Sequence, residues 1–260
     1  MNSHATSHRG AGPAPHPFAG ARPTDGTARR TLLRTALTGA AALGAGLGAT
    51  STATAAPTAP GTAAPRPGTP DEALRELAAG NRRWRTYRER HPHENPAVRR
   101  TLATSQHPFA VVLGCIDSRV PPELVFDQGL GDLMTVRTAG EVLDEAVLGS
   151  VAYGVLELGI PLVVVLGHQS CGAVRAAVAA EQSGEHLPAH MQYLVDQIRP
   201  AIDHGQEGDA RIDATVSANV RLVRSRLAAE PELAARIATG KLAIVGARYE
   251  LTTQAVNRLA

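Results

Sequence analysis

Cysteine is almost missing from this chain of 260 residues: there are two, Cys115 and Cys171. They allow one disulfide or one two-thiol metal site, with no thiol left over. Aromatic residues make up only 3%, which argues against the stacking platforms that hold single-stranded bases. No sign of charge prevails. Twenty-six basic and 24 acidic residues leave +2, so the folded part offers little pull on a nucleic-acid polyanion. A long hydrophobic run is missing too. The stretch from Thr35 to about Thr50 is only weakly apolar and is interrupted by Gly44, Gly46 and Gly48, which makes it a poor membrane span.

What is present divides in two. Up to about residue 65 the chain is rich in Ala, Gly, Pro, Thr and Ser. Ala28-Arg29-Arg30-Thr31-Leu32-Leu33-Arg34 is a twin-arginine pattern, followed by the weak apolar run and by Ala53-Thr54-Ala55 as a small-residue cleavage site. Residues 1–55 therefore read as a secretory signal of the twin-arginine kind, and the expected location is outside the cytoplasm. That route carries proteins already folded, which suits a metal loaded before export. No Cys lies near the cleavage site, so no lipid anchor is expected, and no stable membrane anchor once the signal is removed. Residues 56–70 hold Pro57, Pro60, Pro65, Pro67 and Pro70 and read as a disordered linker. Residues 71–260 read as one domain, long enough for a buried core.

Thr69-Pro70-Asp71-Glu72 predicts a helix start, with acids in the first turn. Leu74, Leu77, Ala78 and Trp84 give it an apolar stripe running towards Arg90, with Gly80 as the point where it could break. Four short unbroken apolar runs follow: Phe109–Leu113 leading to Cys115, Leu133–Val136 to Arg137, Leu162–Leu166 to His168, and Leu242–Val245 to Ala247. Runs without alternation suit strands buried on both faces. Ala146–Glu157, Ala173–Glu181 and the series Ile212, Val216, Val220, Val223, Leu227 carry helical spacing. The alternation predicts an α/β fold, a parallel-sheet core flanked by helices, with an N-terminal helical arm. Ligands gather beyond the carboxyl ends of such strands, where Cys115, Arg137 and His168 all fall.

Thiolate and imidazole are zinc ligands. His168 and Cys171 are three residues apart at a strand-to-helix turn, and Cys115 arrives from another strand. A fourth position stays open for water or a carboxylate. Asp117 could take it directly, or could pair with Arg119 and accept a hydrogen bond from a metal-bound water. Zinc lowers the pKa of a water it binds; two thiolates weaken that effect, and an aligned acceptor restores it. A disulfide between the two cysteines and a purely structural zinc are the competing readings. His186, His190 and His204 read as solvated surface groups.

Cys115-Ile-Asp117-Ser118-Arg119-Val120-Pro121 and His168-Gln-Ser-Cys171-Gly172-Ala173-Val174 resemble the two signatures of β-class carbonic anhydrases. Gly80-Asn81-Arg82-Arg83-Trp84, Phe126-Asp127-Gln128-Gly129, Gly131-Asp132-Leu133 and Gly246-Ala247-Arg248-Tyr249 extend the resemblance over most of residues 71–250. It implies a zinc lyase, one Zn2+ per chain, that hydrates carbon dioxide to bicarbonate as a homodimer or a multiple of dimers. Cys115, His168 and Cys171 would be permanent ligands. Asp117 would be an exchangeable fourth ligand and, with Arg119, a catalytic dyad. Gln106 would hydrogen-bond substrate, typically across the dimer interface; Tyr153 would line the pocket, and Gly172 would contribute to substrate binding. The chain departs from the family pattern at Thr138 and Glu141, where Asn is frequent, and at Met134, where Phe is common. Val112 stands where members with a regulatory bicarbonate site have Trp, so that site is expected to be absent. Carbonyl sulfide or carbon disulfide is an alternative substrate on the same fold. A zinc-binding or thiol-redox protein is the reading from another class.

Overall fold

The computed structural model describes residues 66–260; the twin-arginine segment lies outside them. The Pro-rich stretch is anchored at its end. Arg66 donates to the carbonyls of His107 and Gly131 (2.6 and 2.8 Å). Thr69 and Glu72 form a reciprocal capping box on α1 (Pro70–Arg85), which satisfies backbone donors at the helix start. The helix is unbroken at Gly80. A Cβ there would sit 1.7 Å from the Phe126 carbonyl oxygen, so glycine lets the helix backbone cross another main chain at contact distance. It stops at Arg85, short of Arg90, where Tyr87 turns left-handed (φ 54°). A short α2 (Pro96–Leu102) is capped by Asn95.

Five strands make one sheet in the order β2-β1-β3-β4-β5. They are β1 (Ala110–Cys115), β2 (Leu133–Thr138), β3 (Leu162–His168), β4 (Ala243–Tyr249) and β5 (Val256–Leu259). The first four are parallel and follow the four apolar runs; β5 pairs antiparallel with β4. β5 is an edge strand beyond the parallel core that the sequence did not announce. After β4 the chain reverses through a short turn, and Val-Asn-Arg-Leu is too brief and polar to announce itself as a strand. The helices between strands are α3 (Pro122–Val125), α4 (Glu145–Leu156), α5 (Gly172–Ser183), α6 (Met191–Ile198), α7 (Gly208–Ala229) and α8 (Pro231–Ala238).

Side chains alternate along β1 and β3, so each strand feeds two cores. Val112, Leu162, Val164 and Leu166 pack with Ala73 and Leu77 of α1 and with Tyr249. Val111, Leu113, Val163 and Val165 pack against α4 and α7 through Val151, Val155, Val220 and Leu227. Each such side chain contributes roughly 1.5–3 kcal/mol by leaving water. This two-sided burial makes β1 and β3 rigid rods. The chain leaves β1 for β2 on one side, and β3 lies on the other, so a topological switch point falls between β1 and β3. Cys115 and His168 end those two strands. No helix among the described residues is long and apolar enough to cross a membrane.

Candidate metal centre

Three potential ligand atoms from separate elements converge. Cys115 closes β1, His168 closes β3, and Cys171 is the N-cap residue of α5. Their donor atoms lie within 4.8 Å of one another, and all three residues are buried. The turn from His168 to Cys171 is tight because Ser170 is left-handed (φ 56°). It is pinned by Gln169, whose N–H donates to the Tyr249 carbonyl (2.8 Å) and whose Oε1 accepts from Thr252 N–H (3.1 Å).

The two sulfurs are 3.9 Å apart and both cysteines are free, far beyond the roughly 2.05 Å of a disulfide. Two sulfurs each about 2.3 Å from one tetrahedral zinc would sit about 3.8 Å apart. The imidazole points the same way. His168 Nδ1 donates to the Gln169 carbonyl (2.9 Å), which leaves the lone pair on Nε2. That nitrogen is completely buried and has no hydrogen-bond partner. An unpaired buried imidazole nitrogen is costly; facing two sulfurs, it fits a divalent cation of the zinc type.

The thiols behave as a coupled pair. The Cys171 thiol beside it, then His168 and the backbone N–H groups of Gly140 and Asp117, pull the Cys115 thiol well down. The Cys171 thiol is pushed up by Cys115 and by burial. A bound cation favours the thiolate form of both.

Asp117 stands at the rim, two residues beyond Cys115. It is turned to Arg119: Oδ1 accepts from Nε and from the backbone N–H (both 2.9 Å), and Oδ2 accepts from Nη2 (2.7 Å). These bonds hold its carboxyl down at about 2. Asp117 Oδ2 is also 3.9 Å from His168 Nε2. The carboxylate is thus at the edge of the cluster with its oxygens committed to Arg119, the second of the two arrangements its position allowed. Gly172, the residue after Cys171, is exposed at the start of α5, and an added Cβ there would meet nothing within 4 Å.

Two expected substrate residues are not brought to this cluster within one chain. Gln106 is exposed in the loop before β1, and Cys115 ends that strand, about 17 Å further along. Tyr153 is on the late turns of α4 and half exposed. His186, His190 and His204 are all exposed.

The sequence hid several supports. Arg137, expected at the ligand edge, serves the backbone there: Nε donates to the Cys115 carbonyl (2.8 Å) and Nη2 to the Asp117 carbonyl (2.7 Å). It braces the loop that carries ligand and dyad. Glu141 is buried at 2% exposure and left-handed (φ 54°). Burial pushes its carboxyl well above the usual range, and Cys115 adds to the effect. Its only signal in the sequence was its departure from the family's Asn. Asn219, buried in the middle of α7 and bonded to Gly140, carried none.

Comparison with known proteins places this geometry. The family model for carbonic anhydrase matches residues 110–256. Carbonic anhydrase 2 of Mycobacterium tuberculosis is 45% identical over 184 residues, 70% of this chain and 89% of that protein. Among solved structures, the Coccomyxa β-carbonic anhydrase in complex with acetazolamide superposes with a TM-score of 0.59 at 26% identity, covering 72% of this chain and 86% of the other. The tetrameric β-carbonic anhydrases of Sordaria macrospora share the fold at TM-score 0.59 and 21% identity, covering 72% and 96%. A family match over more than half of the chain, with a 45% identical relative and β-class solved neighbours, shows that this chain belongs to the carbonic anhydrase family, in its β class.

Proposed function

We propose that the protein catalyses the reversible hydration of carbon dioxide to bicarbonate and a proton, with one zinc ion held by Cys115, His168 and Cys171. The carrying observation is the buried, partnerless Nε2 of His168 facing two free sulfurs beside a fixed Asp117–Arg119 pair. Zinc, when bound, supplies the Lewis acidity that makes water a nucleophile near neutral pH.

The chain's own residues do the rest. Arg119 keeps Asp117 ionised, so the carboxylate acts only as a hydrogen-bond acceptor. Asp117 takes a hydrogen bond from the attacking water and turns its lone pair towards the substrate carbon. Arg137 holds the loop so that this acceptor does not drift. Gln106 donates its amide N–H to a substrate oxygen as charge builds there. Tyr153 supplies apolar wall for a small apolar gas, and Gly172 leaves room beside the ligand Cys171.

Gln106 lies before the start of β1, at the opposite end of the strand from Cys115, and the family places such a glutamine across a dimer interface, so we propose a homodimer or a multiple of dimers. The edge strand β2 supports this. It has no strand beyond it in the sheet, and Ile116, whose N–H donates to Thr138 at its end, is exposed. The S. macrospora relatives are described as tetrameric. Residues 1–55 are proposed to direct export by the twin-arginine route. Replacing Arg29 and Arg30 by Lys should keep the protein in the cytosolic fraction.

The test is stopped-flow hydration of carbon dioxide by the purified protein together with its zinc content, with carbonyl sulfide and carbon disulfide run beside it. One zinc per chain and turnover of carbon dioxide are expected, with inhibition by acetazolamide. Turnover of only the sulfur gases would reassign the substrate. An oxidised cysteine pair without metal would replace the hydratase by a redox protein.

A further inference from the structure

Two thiolates load a metal with negative charge and reduce its pull on water. The chain carries a device that offsets this. After β2 the backbone turns through Ala139–Glu141 with Gly140 and Glu141 both left-handed (φ 69° and 54°). For glutamate that conformation is strained, so neighbours must hold it. A Cβ on Gly140 would meet Ile198 Cδ1 at 2.9 Å and Ala173 Cβ at 3.2 Å. The turn is therefore wedged against α5 and α6.

The result is a directed donor: the Gly140 N–H points at Cys115 Sγ, 3.5 Å away. Just beyond it the Gly140 carbonyl accepts a 2.7 Å hydrogen bond from Asn219 Nδ2, which also lies 3.5 Å from Glu141 Oε2. Asn219 is 1% exposed and comes from the mid-length of α7, 79 residues away. Burying an amide on a helix face lined mostly by Ile212, Val216, Val220 and Val223, with Thr215 beside them, is unfavourable unless its hydrogen bonds are made.

We propose that Asn219 is a positioning residue of the metal centre: by gripping the Gly140 carbonyl from α7, it keeps the Gly140 N–H aimed at the Cys115 sulfur and so weakens electron donation from that thiolate to the metal. A hydrogen bond to a metal-bound sulfur stabilises the sulfur lone pair and tunes the metal. Asn219 touches neither metal nor substrate, and its effect passes through one backbone amide. The proposal rests on the zinc reading of Cys115, His168 and Cys171.

The test replaces zinc by cobalt(II) and records the thiolate-to-cobalt charge-transfer bands of the whole protein. The wild type should show them. Asn219→Ala, and Asn219→Leu as a volume-keeping variant should the first fail to fold, should shift the bands to lower energy, because an unbonded sulfur gives up its electron more easily. Thr215→Ala is the control for mere damage to α7: Thr215 is buried one turn earlier and accepts from Asp203 N–H (3.1 Å). It should leave the bands in place. Wild-type bands that do not move in a folded Asn219 variant, or that move equally in Thr215→Ala, overturn the role of Asn219 while leaving the metal site intact. Absence of such bands from the wild type overturns the metal site itself.

Discussion

The two ends of the sheet treat their buried polar groups in opposite ways. At the amino end of the strands, Asp127 and Asp132 are buried and saturated. Asp127 accepts from Arg83 Nε and from the backbone N–H groups of Arg90 and His91. Asp132 pairs with His93 (2.7 Å) and accepts from Gly129 N–H (2.9 Å). At the carboxyl end, His168 Nε2 and Glu141 Oε1 are buried and have no partner. Saturated groups hold loops in place; buried groups without a partner call for a chemical reason. The contrast separates structural polarity from chemical polarity within a single sheet.

Substitutions should split along the same line. His168→Ala is expected to abolish zinc retention and carbon dioxide hydration while the fold persists, since it removes a group whose second nitrogen makes no internal bond. Metal analysis and circular dichroism on the same sample would show this. Asp127→Ala should do the reverse. It removes one carboxylate partner of Arg83, which keeps Glu76, and the acceptor of two part-buried N–H groups, at a cost of about 1–3 kcal/mol. Urea unfolding should show that loss, with the hydration rate per folded molecule unchanged. If Asp127→Ala lost activity as His168→Ala does, the division between the two ends would fail.

A smaller effect is expected at the rim. Asp117→Asn keeps the shape but weakens the acceptor, and the rate should fall about 100-fold with zinc retained. The smallest concerns acid. The Asp117 carboxyl is lowered from an ordinary 3.8 to about 2 by Arg119. The ion pair's contribution is therefore fully present above about pH 5 and is lost only as pH falls through about 2. Between about pH 5 and 8 carbon-13 spectra of the Asp117 carboxyl should show no titration. In Arg119→Ala its midpoint should move back up, while stability changes by less than about 1 kcal/mol because the guanidinium is half exposed.

Much of this was readable from residue types. The unbroken apolar runs before Cys115 and His168 became strands buried at every position, because two-sided burial leaves no room for polar alternation. Cys115, His168 and Cys171 stood out because thiol and imidazole are rare and sit at element ends. The supports were not readable. Asn219 is one polar residue among several on α7, and only the packing of α7 against the turn after β2 brings it to Gly140. Glu141 stood out only as a departure from the family's Asn, and its burial follows from the left-handed turn after β2. Gln106 shows another limit, since it lies before β1 while Cys115 ends that strand.

Zinc K-edge X-ray absorption on the purified protein tests the central claim most directly. The account predicts two sulfur scatterers at about 2.3 Å, one imidazole nitrogen and one further light atom. A shell of oxygen and nitrogen alone, or sulfurs bonded to each other in zinc-free protein, would contradict it.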